Sequence, residues 1–180
     1  MTVFNETNMR NMRRLGIVNR WQLAPVIRRE SVLEHSVTVL MIYGWLCERW
    51  GLSVSYDDAF KVLMHDSDEA ITGDAPSTNN KTSAAARAAI CNDARRALLK
   101  AADYLESVVY LNEEHAMGNT RVEPYLTSTI DDYYYPWAQR AYVLVFGEDT
   151  PKHESRVSSR STLRDIYGIY SALRHPSLEG

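Results

Sequence analysis

An all-α fold is what this chain of 180 residues predicts. Its eight glycines and six prolines fall mostly between periodic segments, and apolar residues recur at the three-to-four spacing of amphipathic helices. No run alternates at period two for long enough to build a sheet. The length fits one domain with its own core, so residues 1–180 are expected to fold as a single unit.

The first helix is expected over residues 7–18, with Met9, Met12, Leu15 and Val18 on one side and Arg10, Arg13 and Arg14 on the other. Asn19-Arg20-Trp21 breaks the pattern and opens a loop. Ser31-Val32-Leu33-Glu34 has capping-box spacing, so a second helix starts at Ser31 and places His35 near its first turn. Val37, Leu40, Met41, Gly44 and Trp45 are its expected apolar face, and Gly51 its C-terminal stop.

Ser55 or Asp57 can cap a third helix in which Ala59, Val62, Leu63 and Ala70 face the core, with His65 and Asp66 in its C-terminal half. Thr72-Gly73-Asp74-Ala75-Pro76 stops it. Helix formers dominate from Thr82 to Met117, and Asn92-Asp93 offers an internal cap, so two helices or one interrupted helix are expected there. Leu98, Ala102, Leu105 and Val109 form an apolar stripe with Asp103 and Glu106 at its border, and Gly118-Asn119 closes the segment.

Pro124 can open a further helix, Pro136 divides it, and the apolar run Ala141 to Phe146 ends at Gly147 and Pro151. Leu163, Ile166, Ile169, Tyr170 and Leu173 mark a last helix beginning at Ser161. The tract from Asp131 to Trp137, with three consecutive tyrosines, reads as core packing, with a subunit contact as its alternative.

Composition excludes several classes of function. A net charge of −3 with acidic and basic residues interspersed argues against a nucleic-acid footprint. The longest apolar stretch, Val37 to Cys47, is too short to cross a bilayer, and with no charged-then-apolar leader the chain is expected to be soluble and intracellular. Cys47 and Cys91 lack CxxC spacing and read as two buried thiols.

His35, His65, Asp66 and Asp103 supply two imidazoles and two carboxylates, the donor mix of a divalent-metal phosphohydrolase rather than a structural zinc site. Neighbouring helical positions diverge by about 100°, so His65 and Asp66 can both reach one ion at a helix edge. Glu69 follows one turn later. Each residue also has a plainer reading: a helix start for His35, a solvated charge for Asp103 or Glu69, an Asx turn for Asp74, a core anchor for Trp21. His115, His153 and His175 show no ligand spacing.

Four motifs then fall in one order: Asn19-Arg20-Trp21, Glu34-His35-Ser36, the run His65-Asp66-Ser67-Asp68-Glu69-Ala70-Ile71-Thr72-Gly73-Asp74-Ala75-Pro76, and Ala101-Ala102-Asp103. On these the chain resembles the HD-domain phosphohydrolases, and within them the bacterial 5'-deoxynucleotidases and short viral relatives that hydrolyse deoxynucleoside triphosphates. The resemblance implies a single HD-domain helical bundle and a catalytic metal on His35, His65, Asp66 and Asp103. It also implies that Glu69 orients or deprotonates water, that Asp74 assists the leaving oxygen, that Arg20 meets the phosphate, and that Trp21 packs on the deoxyribose, leaving little room for a 2'-hydroxyl.

Lys81 reads as part of a solvated face with Arg87, Arg95 and Arg96, yet it could reach the outer phosphates of a longer substrate. Nitrogen and oxygen donors suit Co, Mn, Zn, Fe or Mg without choosing among them. The expected activity is hydrolysis of 2'-deoxynucleoside 5'-monophosphates to deoxynucleoside and phosphate, with a small-molecule deoxynucleotide as partner and neither nucleic acid nor membrane. Similar proteins are commonly homo-oligomers of the cytoplasm, or of the host cytoplasm where viral.

Two alternatives stand beside that activity. The interval from Asp66 to Asp103 is shorter than in the bacterial enzymes, so a more open pocket could admit dATP or another dNTP and release triphosphate. A non-catalytic nucleotide- or metal-binding module is the other. From about Gly118 onward no motif aligns with the family.

Overall fold

In the computed structural model, residues 5–74 and 92–147 are described. Helix α1 (Glu6–Leu15) is capped by Asn5, whose side chain accepts from the Asn8 amide at 2.9 Å. Leu15 is buried, whereas Met9, expected on the inner face, is 56% exposed. The chain then runs through an excursion pinched shut by an antiparallel bridge between Asn19 and Ser31. Arg20 N donates to Glu30 O and Val32 N to Val18 O, both at 2.8 Å, so the loop carrying Arg20 and Trp21 is tied to the start of the next helix.

Helix α2 (Val32–Arg49) begins as its capping box predicts, with Ser31 Oγ accepting from Glu34 N and the Glu34 carboxylate accepting from Ser31 N. Its buried face differs from the expected one. His35, Val39, Ile42, Tyr43 and Leu46 point inward, while Val37 and Met41 are 46% and 64% exposed. The helix is apolar on most sides, so periodicity alone could not fix its rotation, and the inward His35 and Ser36 set it.

Ser55 caps α3 (Tyr56–Leu63) through a second box with Asp58. The helix stops at Leu63 instead of running on to Thr72: His65 N bonds back to Val62 O, Ser67 N to Met64 O and Glu69 N to Asp66 O, a series of tight three-residue turns. His65 and Asp66 therefore sit on a turn, not in a helix. A short α4 (Glu69–Thr72) follows and ends at Gly73, whose φ of 75° suits glycine.

The long α5 (Asp93–Ala116) is capped by Asn92, as its sequence predicts. Leu98, Ala102, Leu105 and Val109 are buried as expected; Glu106, placed at the border of the stripe, is only 1% exposed. Arg95 is not on a solvated face, because its guanidinium donates to Ser53 O at 2.7 Å and to Tyr43 Oη at 3.3 Å. A 3₁₀ turn (Thr120–Val122) leads to α6 (Glu123–Ser128) with Pro124 in its first turn, and a π-helical segment (Thr129–Tyr134) joins it to α7 (Tyr135–Phe146). Pro136 lies in the first turn of α7, directly after the π-helical segment.

Helices α2, α5 and α7 enclose the core, in which Val39, Tyr43, Leu46, Leu98, Leu105 and Ala141 are essentially buried. Tyr134 from the three-tyrosine tract joins it, as the core-packing reading expects, while Tyr133 is 45% exposed. Cys47 is a buried free thiol; Cys91, Lys81, Arg87, the helix starting at Thr82 and the one at Ser161 lie outside the described residues. Among the described residues no helix is long and apolar enough to cross a membrane.

Glu114, fully buried near the end of α5, holds the loop against the bundle. Its carboxylate accepts from Ile27 N at 2.6 Å, Arg28 N at 2.7 Å and Asn119 Nδ2 at 2.7 Å. Glu114→Ala strands these donors, so urea unfolding is expected to show a loss of about 2–3 kcal/mol. Glu114→Gln, which keeps one acceptor, is expected to lose less; an unchanged midpoint in both would show that the loop is held otherwise.

Candidate active site

Three separate elements converge beneath the loop. The first turn of α2 supplies His35, the turn after α3 supplies His65 and Asp66, and the middle of α5 supplies Asp103. His35 Nε2 lies 3.5 Å from Asp66 Oδ2 and 3.3 Å from Asp103 Oδ1; His65 Nε2 lies 3.1 Å and 3.9 Å from the same two oxygens. The imidazole centroids are 5.3 Å apart, and both rings are buried. Residues up to 68 positions apart in sequence thus meet at one point.

Each imidazole is held by its far nitrogen. His65 Nδ1 sits 2.8 Å from Val62 O, and since a carbonyl only accepts, Nδ1 carries a proton and Nε2 is the nitrogen left facing inward, open to either a proton or a metal. His35 Nδ1 lies 2.6 Å from Glu106 Oε2. Burial alone would raise the Glu106 carboxyl, but His35 and Arg20 outweigh it and hold the group down to about 2, so it is a charged acceptor for the His35 Nδ1–H.

Among the described residues neither Nε2 atom, both buried, has a hydrogen-bond partner of good geometry, although carboxylate oxygens lie 3.1–3.9 Å away. Donor atoms aimed at a shared point rather than at one another fit a divalent cation. Burial works against charge on the imidazoles, yet the carboxylates prevail: Asp66 and Asp103 push His65 up to about 9, and Glu106, Asp103 and Asp66 raise His35 well above its ordinary value despite the opposing Arg20. The same negative field that draws a proton would favour a metal ion in its place.

A second cluster, Glu30 and Glu106 with the far side of His35, lies just behind. Arg20 already fills it, with Nη1 3.0 Å from Glu30 Oε2 and 2.8 Å from Glu106 Oε2, so it is an ion-pair network. Burial and the neighbouring Glu106 charge push Glu30 up to about 8, against the opposing pull of Arg20. Arg20 also reaches Ser107 Oγ at 3.4 Å and stacks 5.3 Å over Trp21.

A cavity of about 650 Å³ opens above the four converging residues, lined by Arg20, Trp21, Asp66, Glu69, Asp74 and Asp103 among the residues that sequence nominated. Its far wall is Tyr104 and Tyr133, stacked at 5.1 Å, with Lys100 and Ser107 beside Asp103. Glu69 is 5% exposed; burial, then Asp66 and Asp74, push its carboxyl up to about 8. Burial likewise raises Asp74, whose carboxylate accepts from the Trp21 backbone N–H.

Trp21 adopts φ 61°, a left-handed conformation that costs a bulky residue about 1–3 kcal/mol. The surroundings impose it. Its carbonyl accepts from Ala24 N at 3.1 Å and its ring stacks on Tyr110 at 5.5 Å with 5° between planes. Sequence reading nominated Asp103 but missed Glu30, Lys100 and Ser107, and took Glu106 only as a border charge, although Lys100, Asp103, Glu106 and Ser107 share one face of α5. Polar residues recurring at helical spacing in an otherwise apolar helix were the available signal.

Residues 7–92 match the model of the YfbR-like 5'-deoxynucleotidase family. The 5'-deoxynucleotidases YfbR of Escherichia coli O1:K1 and of E. coli O157:H7 are each 35% identical over 71 residues, 37% of this chain and 36% of theirs. The match thus spans about a third of the length of these curated relatives. Among solved structures, the HD phosphohydrolase DatZ of cyanophage S-2L, bound to dA and one catalytic Zn2+ ion, superposes with a TM-score of 0.50 at 17% identity, covering 79% of this chain and 95% of that one. This is the HD-phosphohydrolase fold. Within that HD bundle the matched family segment carries the loop, His35, His65, Asp66, Glu69 and Asp74, while Asp103 and the Tyr104–Tyr133 wall lie beyond it.

Proposed function

We propose that the chain is a metal-dependent phosphohydrolase that converts 2'-deoxynucleoside 5'-monophosphates to deoxynucleoside and phosphate. The observation that carries this reading is the pair of imidazole Nε2 atoms, without hydrogen-bond partners among the described residues, facing two carboxylates at the floor of a nucleotide-sized cavity. The relatives' description as 5'-deoxynucleotidases and the deoxynucleoside held by the phage enzyme support the substrate class.

His35, His65, Asp66 and Asp103 would hold the ion. When bound, a divalent cation supplies positive charge against the phosphoryl oxygens and acidifies a neighbouring water. Glu69 takes the proton from the attacking water, its buried position making it a stronger base once ionised. Asp74 gives a proton to the 5'-oxygen as the P–O bond breaks, a role suited to a carboxyl whose proton affinity burial has raised. Arg20, with Nη1 anchored inward by Glu30 and Glu106, offers its remaining edge to phosphate, and Trp21 bounds the sugar.

The test is a panel of ribo- and deoxynucleoside mono- and triphosphates assayed with Co, Mn, Zn, Fe and Mg. Orthophosphate from deoxynucleoside monophosphates, with ribonucleotides spared, is the expected result. Triphosphate released from dATP or another dNTP would replace this substrate by the longer one. Nucleotide binding without turnover of any member would mark a non-catalytic module.

A further inference from the structure

Four carboxylates, from Asp66, Glu69, Asp74 and Asp103, line the cavity, against two cations, Arg20 and Lys100, among its described lining residues. A phosphate monoester brings further negative charge into that field. Arg20 is partly spent, because one guanidinium nitrogen already lies 3.0 Å from Glu30 Oε2 and 2.8 Å from the charged Glu106 Oε2. Lys100 is placed differently.

It precedes Asp103 by three positions on α5, hence on the same helix face. Its Nζ lies 2.6 Å from Asp103 Oδ2, while Oδ1 of the same carboxylate is the oxygen 3.3 Å from His35 Nε2. Asp103 is therefore divided, one oxygen toward the imidazoles and one toward the ammonium. Nζ also sits 5.3 Å from the Tyr104 ring centroid, and Tyr104 is braced by Tyr133, so the side chain rests on an aromatic ledge at the cavity wall. An ammonium has three N–H donors, and Asp103 uses one.

We propose that Lys100 is a phosphate-binding residue, donating to a non-bridging phosphoryl oxygen of the substrate next to the four-residue centre. The assignment rests on the hydrolase reading for the identity of the substrate, but not for the presence of an anion site. The competing role is purely positional, with Lys100 doing no more than orienting Asp103. The two differ in what they change: a phosphate contact alters affinity for phosphate alone, whereas a positioning role alters metal retention.

The experiment measures inorganic phosphate binding to the metal-loaded full chain by calorimetry, together with metal content, KM for a deoxynucleoside monophosphate and inhibition by the phosphate-free deoxynucleoside. Lys100→Ala is expected to weaken phosphate binding and raise KM by about 10- to 100-fold, the size of one charge-assisted hydrogen bond. Metal content and inhibition by the deoxynucleoside are expected to stay at wild-type values, and Lys100→Arg to recover most of the phosphate affinity. Unchanged phosphate affinity in Lys100→Ala, loss of its metal, or a wild-type chain that binds no phosphate would each overturn the proposal. Lys100-dependent phosphate binding in a wild-type protein that hydrolyses no nucleotide would uphold it while refuting the hydrolase reading.

Discussion

Asp66→Ala is expected to leave a folded chain that retains no stoichiometric metal and hydrolyses no deoxynucleotide above background. Asp66 is 6% exposed, and its Oδ2 is the closest carboxylate oxygen to His65 Nε2, at 3.1 Å. Removing it deletes one of four donors and half of the negative charge that the two aspartates direct at the imidazoles. Loss of outer partners alone commonly weakens metal binding by about 10- to 100-fold, so loss of a direct donor is expected to exceed that. Asp66→Asn, nearly isosteric, controls for packing and is expected to show the same deficit with an unchanged circular dichroism spectrum. Wild-type metal content and turnover in either variant would remove Asp66 from the centre.

Glu69→Gln is expected to keep the metal and lose about 10²- to 10⁴-fold in kcat, the usual range for removing a positioned general base. The pH profile supplies a second readout. A base acts when ionised, and burial beside Asp66 and Asp74 pushes Glu69 up to about 8 in the metal-free chain. A cation nearby favours the ionised form, so the rising limb of kcat/KM with pH is expected at or below about pH 8. The glutamine variant is expected to lose that limb along with the rate. A variant that keeps both would assign the proton transfer to another group, such as Asp74, a raised carboxyl lining the same cavity.

What the sequence made legible is what local chemistry decides. Ser31, Ser55 and Asn92 were readable as caps because each cap is set within four residues, and all three hold in the structure. His35, His65, Asp66 and Asp103 were nominated by their donor types and by the resemblance of four ordered motifs, and the structure brings these side chains close together. The cavity also gathers Arg20, Trp21, Glu69 and Asp74, as the resemblance implied.

The features that stayed hidden depend on contacts distant in sequence. The rotation of α2 was set by where His35 had to point, not by its own nearly uniform apolar surface. The end of α3 at Leu63 had no glycine or proline to announce it. Glu106 read as a border charge because its partners, Arg20 and His35, lie 86 and 71 residues away. The left-handed Trp21 runs against its own conformational preference and exists only because the Asn19–Ser31 bridge, Asp74 and Tyr110 hold it.

The most direct measurement is a titration of metal-stripped protein with Co2+, followed by calorimetry and visible absorption, in the wild type and in a His35→Ala, His65→Ala double variant. One saturable site per chain, with an absorption band that the double variant abolishes, is the expected outcome. Either no saturable binding by the wild type or full binding by the double variant would contradict the claim that these side chains converge on one cation.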